Sequence, residues 1–177
     1  IMTEASQTPA ITLWATGAAD LAALSQAMGR SMGQGVKGQA ALLAHDLGRD
    51  APQLFVDALH IVPHADGTLA IGSTSENDFD DPTGTDEQLD ALIARARLLC
   101  PVLGDAPVIA RWAGLRPRAR SRAPTLGVHP LAPGAFIPHG GFKIGLRMAP
   151  IVPRPMADPL PARRAPFPAR LRVPAHL

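Results

Sequence analysis

The chain has 177 residues, of which 46% are apolar and 18% charged, a balance that suits a globular domain with a real core and excludes disorder over the whole length. Seventeen Lys and Arg against fifteen Asp and Glu leave a net charge of +2 and a pI near 9.3. Arginine gathers after residue 110 and acid between 76 and 90, a tilt too small for a nucleic-acid footprint. No run approaches the roughly 20 apolar residues of a spanning helix, no basic and then apolar leader opens the sequence, and Cys100 has no cysteine partner within the chain. These features predict a cytoplasmic protein with no nucleic-acid or membrane partner, and Cys100 as a small buried hydrophobe.

In chain order, Ile11-Thr12-Leu13-Trp14-Ala15 reads as a short strand broken by Thr16-Gly17, and Asp20 to Met28 as an Ala- and Leu-rich helix ended by Gly29. Glycines at 29, 33, 35 and 38 mark a turn region. Leu54 to Val62 and Thr68 to Ser73 are strand candidates joined through Asp66-Gly67, a hairpin signal. After an acidic loop over 77–85, Thr85-Asp86-Glu87 can cap a helix whose apolar residues Leu89, Leu92, Ile93, Ala96 and Leu99 follow the 3.6 period up to Pro101. Pro107 to Trp112 reads as a strand, and Ala135 to Pro138 as a last one. Strands around one long helix predict an α+β fold with a mixed, largely antiparallel sheet.

From Pro150 onward eight of 28 residues are proline and five arginine. Each proline inside a helix costs roughly 3 kcal/mol, so residues 151–177 are expected to be an irregular tail with no continuous helix.

Several motifs resolve into ordinary structure. Gly33-Gln34-Gly35-Val36-Lys37-Gly38 spells G-x-G-x-x-G, but a helix-like segment precedes it where the dinucleotide fingerprint requires a strand. His60 and His64 straddle Pro63 and offer no metal spacing. Asn77, Asp78, Asp80 and Asp81 lack the glycine and closing glutamate of a calcium loop. No metal site and no G-x-S-x-G nucleophile is expected. Arg118, Arg120 and Arg122 read as basic surface. Arg116 differs, because Trp112, Gly114 and Leu115 imply partial burial and Pro117 is expected to end strand pairing. A buried guanidinium needs an anion, and its planar fork fits a carboxylate with two parallel bonds. On these residues alone, a structural bridge and a ligand site stand equally open.

Trp14-Ala15-Thr16-Gly17-Ala18, Val36-Lys37-Gly38-Gln39, Ile61-Val62-Pro63, Asp66-Gly67-Thr68-Leu69, Ile71-Gly72-Ser73-Thr74, Trp112-Ala113-Gly114-Leu115-Arg116-Pro117, Gly140-Gly141-Phe142-Lys143-Ile144-Gly145 and Ala149-Pro150 follow one another in order. In this the sequence resembles the C-terminal part of FAD-dependent D-amino acid oxidases and glycine oxidases. The resemblance implies the substrate domain of a flavin oxidase with remnants of an FAD-binding domain. Residues 1–35 would belong to the FAD-binding domain, 36–138 to the substrate domain, 139–150 to a return to the flavin, and 151–177 to the tail.

The cofactor implied is FAD, approached by Thr16, Gly17, Gly141, Phe142, Lys143, Ile144 and Gly145. Arg116 would receive the substrate carboxylate, and His60 stands where glycine oxidases carry a tyrosine near the substrate. The implied partners are a small amino acid or amine and either further copies of the chain or a separate FAD-binding segment. Two departures stand out: no pyrophosphate fingerprint precedes Ile11, and prolines at 153, 155 and 159 occupy the family's closing helix. They leave open an alternative, a fragment or degenerate copy acting as a binding domain without cofactor, and with it an interaction scaffold that uses the basic tail.

Overall fold

A computed structural model of the chain describes residues 12–145; the expectations for Ala149-Pro150 and the tail over 151–177 lie outside them. In chain order the elements are β1 (Thr12–Leu13), α1 (Ala18–Ala27), β2 (Gly33–Ala44), β3 (Leu54–Val56), β4 (Leu59–Pro63), β5 (Thr68–Gly72), α2 (Glu87–Leu99), β6 (Val108–Ala119), β7 (Thr125–Val128) and β8 (Ala135–His139). Short 3₁₀ turns follow α2 at Pro101–Leu103 and β8 at Phe142–Ile144. The chain divides into two units, one of residues 1–35 and 116–177, the other Val36–Leu115. The expected α+β class with largely antiparallel sheets is what forms.

In the second unit the strand order is β3-β4-β5-β2-β6. Ile61 stands opposite Ile71, and Leu43 opposite Leu69. Alternation along the strands turns Ala41, Leu43, Leu59, Ile61, Leu69 and Ile71 to one face, where Leu89, Ile93 and Ala96 of α2 close the core. Burying each large side chain contributes about 1.5–3 kcal/mol, so this layer is the unit's main stabilising contact. Within the expected capping stretch Thr85-Asp86-Glu87, Asp86 is the residue that caps α2, its carboxylate accepting the Gln88 amide.

Four residues make a satisfied polar knot at that cap. The Gln39 side-chain amide donates to Asp86 at 2.8 Å and to Glu76 at 3.1 Å, while its carbonyl accepts the Asp86 N–H at 2.9 Å. Lys37 Nζ lies 3.6 Å from Glu76 and 3.5 Å from Asp86. Buried polar groups are tolerated only when paired in this way.

In the first unit, β1 pairs parallel with β8, and β7 pairs antiparallel with β8. Leu21 and Leu24 of α1, Leu126 of β7, and Ala135 and Ile137 of β8 are buried.

Three local expectations are corrected. The glycine-rich stretch read as turn is largely strand, because β2 is hydrogen-bonded on both sides and ladder pairing outweighs glycine's weak β propensity. The strand read across Leu54 to Val62 is a hairpin, turning at Asp57 and Ala58, both at positive φ. β6 runs on to Ala119 through Pro117, since a proline at a sheet edge forfeits no ladder bond. The partial burial expected of Arg116 is observed, although Trp112 and Leu115 beside it are 45% and 38% exposed.

Candidate functional site

The first unit brings two glycine turns to one end of a strand pair. Thr12 stands opposite Ala135 and Leu13 opposite Phe136 in parallel register, and the Trp14 N–H extends the pairing to the Phe136 carbonyl at 2.8 Å. Parallel strands share a carboxyl end, so Thr16-Gly17 after β1 and Gly140 to Gly145 after β8 emerge side by side. In open α/β sheets that end is where ligands bind.

The backbone at both turns has conformations that side chains resist. Gly17 has φ +71 with open space where a Cβ would stand, and α1 begins directly after it with no side-chain cap. Gly140 has φ +73, and a Cβ there would meet that of Ala119 at 2.5 Å. A Cβ on Gly141 would fall 2.9 Å from Gly145 Cα, inside the curl closed by the Ile144 N–H on the Gly141 carbonyl at 2.8 Å. Phe142 sits at φ +42, rare for a bulky residue. The Arg118 guanidinium and the Lys143 ammonium lie 5.8 and 5.7 Å from its ring centre. Arg118 is thus half-buried and engaged, not the free basic surface expected, whereas Arg120 and Arg122 are exposed.

Arg116 is half-buried on β6, with Nη1 buried. Strand alternation projects it from the same face as Arg118, one side-chain repeat or about 6.6 Å along the strand.

His60 belongs to the second unit. It stands opposite Phe55 and Gly72, on the sheet face away from Leu59, Ile61 and the α2 core. The Gln53 side-chain amide donates to its Nδ1 at 2.8 Å, and the Phe55 ring lies 4.5 Å from its own. On its other side the neighbours are small: Gly72 stands opposite Ala40 as well, and a Cβ on Gly72 would meet that of Ala40 at 3.1 Å.

Sequence reasoning missed one buried pair. His139, the last residue of β8, bonds through Nε2 to the Asp20 carboxylate in the first turn of α1, and both are under 10% exposed. Among the described residues no group of three or more His, Cys, Asp or Glu could hold a metal, and no helix is long and apolar enough to cross a membrane.

The first unit thus sets glycine turns after two parallel strands, with a helix leaving the first, and the second unit is an antiparallel sheet backed by one helix. Residues 3–158 match the family described as FAD dependent oxidoreductase, and the chain belongs to that family. It is 38% identical over 104 residues to glycine oxidase of Pseudomonas aeruginosa, covering 59% of this chain and 29% of that one. Glycine oxidase of Geobacillus kaustophilus superposes with a TM-score of 0.77 at 27% identity, over 93% of this chain and 45% of that one. Iminodiacetate oxidase of Chelativorans sp. BNC1 shares the fold, with a TM-score of 0.75 at 24% identity, over 93% of this chain and 46% of that one. The chain therefore spans under half the length of these solved relatives.

Proposed function

We propose that the chain is the substrate-binding and flavin-contacting part of an oxidoreductase that oxidatively deaminates a small amino acid or amine. The observation that carries this reading is the parallel β1–β8 pairing, which sets Thr16-Gly17 and Gly140 to Gly145 at one strand end. Both turns suit close approach of a flat cofactor, since Gly17 leaves open space and Gly141 admits no side chain inside its curl. Bound FAD would supply the acceptor for the hydride leaving the substrate α-carbon.

The residues of the chain then bind and orient. Arg116 holds the substrate carboxylate through two parallel charge-assisted bonds, fixing which α-hydrogen is presented. Thr16, Gly17 and Gly141 to Gly145, with Phe142, Lys143 and Ile144 between, contribute the backbone that the cofactor meets. His60, its Nδ1 occupied by Gln53, retains Nε2 as the polar atom it offers to a substrate. We place the protein in the cytoplasm, where the free Cys100 stays reduced.

The test is substitution of Arg116 in the FAD-loaded protein that carries this chain. Arg116→Lys raises KM with little change in melting temperature, because an ammonium cannot copy the fork. Arg116→Leu abolishes the preference in kcat/KM for amino acids over the corresponding plain amines. An unchanged preference together with a large loss of stability would make Arg116 a structural bridge and end the assignment.

A further inference from the structure

The buried Asp20–His139 pair takes no part in the function proposed above, yet it joins the two turns on which that function rests. Asp20 lies three residues after Gly17, and His139 immediately precedes Gly140. The partners are 119 residues apart in sequence, with His139 3% and Asp20 7% exposed. Stability alone does not require such a pair, because a buried ion pair rarely outperforms well-packed apolar side chains of similar volume. What it supplies that apolar contact does not is direction: one nitrogen meets one carboxylate oxygen in a single arrangement.

Two further observations favour a role tied to this place in the fold. α1 has no side-chain cap, so its unpaired first-turn amides already favour an anion at Asp20. The other ring nitrogen, His139 Nδ1, is buried without a hydrogen-bond partner, and a native group left in that condition calls for an explanation beyond packing.

We propose that His139 and Asp20 form a clasp that holds the Thr16-Gly17 and Gly140–Gly145 turns at one spacing, making both of them positioning residues for the cofactor. The inference rests on the FAD reading for its purpose, but the clasp itself is testable without FAD. His139 acts through Gly140, whose positive φ starts the turn, and Asp20 acts through the first turn of α1 that follows Gly17.

The decisive variant is the double replacement Asp20→Leu with His139→Phe, which fills the same space with an apolar pair. Asp20→Asn serves as the conservative control, since its side-chain oxygen still accepts from Nε2. In the cofactor-free protein, hydrogen exchange at the amides of Phe142 to Gly145 should quicken at least tenfold in the double variant. Exchange at Leu69 to Ile71 in the second unit should not change. In the loaded protein, the dissociation constant for FAD, read from its fluorescence, should rise about tenfold in the double variant and less than threefold in Asp20→Asn. Melting temperatures should stay close to that of the parent. Unchanged exchange at Phe142 to Gly145, or FAD held as tightly by the double variant as by the parent, overturns the clasp. If the double variant does not fold, the single change His139→Leu, which removes the ring nitrogen that meets Asp20, must show the same rise in exchange and in FAD dissociation constant, and absence of either is equally fatal. A parent protein that binds no FAD at all would defeat the proposed function, while the exchange result would still decide the clasp.

Discussion

Alanine at position 140 would carry its methyl into Ala119, whose Cβ would lie 2.5 Å away, with the Ala119 nitrogen at 3.2 Å and the Ala123 carbonyl at 3.3 Å. Two costs add. Holding a side chain at φ +73 costs about 1–2 kcal/mol, and forcing a methyl into a filled space costs about 1–3 kcal/mol more. The same change at Gly134 isolates the first cost, because that residue has φ +77 with nothing within 4 Å of an added Cβ. At about 2–4 °C per kcal/mol for a chain of this size, Gly140→Ala should lower the melting temperature by about 4–20 °C and Gly134→Ala by about 2–8 °C. Thermal melts followed by circular dichroism measure both. Adding Ala119→Gly to Gly140→Ala removes the methyl it strikes and should recover most of the difference. Equal losses from the two alanine variants, or no recovery in the double variant, would refute the close approach of the Gly140 turn to β6.

Other expectations concern the second unit. Leu69 is fully buried between Leu43 and Pro63, so Leu69→Ala should cost about 2–5 kcal/mol in urea unfolding, and a cost under 1 kcal/mol would deny the sheet–helix core. The Asp86 carboxyl titrates below its ordinary 3.8 because the Gln39 side chain and then the Gln88 amide donate to it, with Lys37 nearby. A carboxyl lowered on folding adds stability above its unfolded value and loses it as pH falls through the folded one. Asp86→Asn should therefore lower the melting temperature at pH 7, with the gap closing below about pH 4. A gap constant with pH would show that the carboxylate's charge plays no part in the cap.

Helix α2 is legible in the sequence because its cap, its 3.6-residue apolar repeat and its closing proline agree, and the β4–β5 hairpin because Asp66-Gly67 supplies the turn its strands need. Strand β2 is not, and the physical reason lies in Gly33. A Cβ there would sit 2.4 Å from the Arg118 carbonyl, so that glycine serves close strand approach, while in the sequence it reads only as a turn signal. The residues Val36-Lys37-Gly38-Gln39 carry the family resemblance, yet nothing local reveals that Lys37 and Gln39 tie the cap of a helix almost 50 residues away. The candidate site divides in the same way. Its glycines and Arg116 are visible as motifs, whereas the Asp20–His139 pair depends on β1 and β8 lying side by side, which no local pattern encodes.

Under the proposed function, this chain contributes to an amine-oxidising flavin site whose substrate is held by its carboxylate. The most direct measurement is the visible absorbance of the FAD-loaded protein, followed without oxygen as glycine or another small amino acid is added. The account predicts bleaching of the flavin by the amino acid in the parent protein and loss of that bleaching in Arg116→Leu at the same concentration. A flavin that no small amino acid or amine reduces, or that is reduced equally well without Arg116, would contradict it.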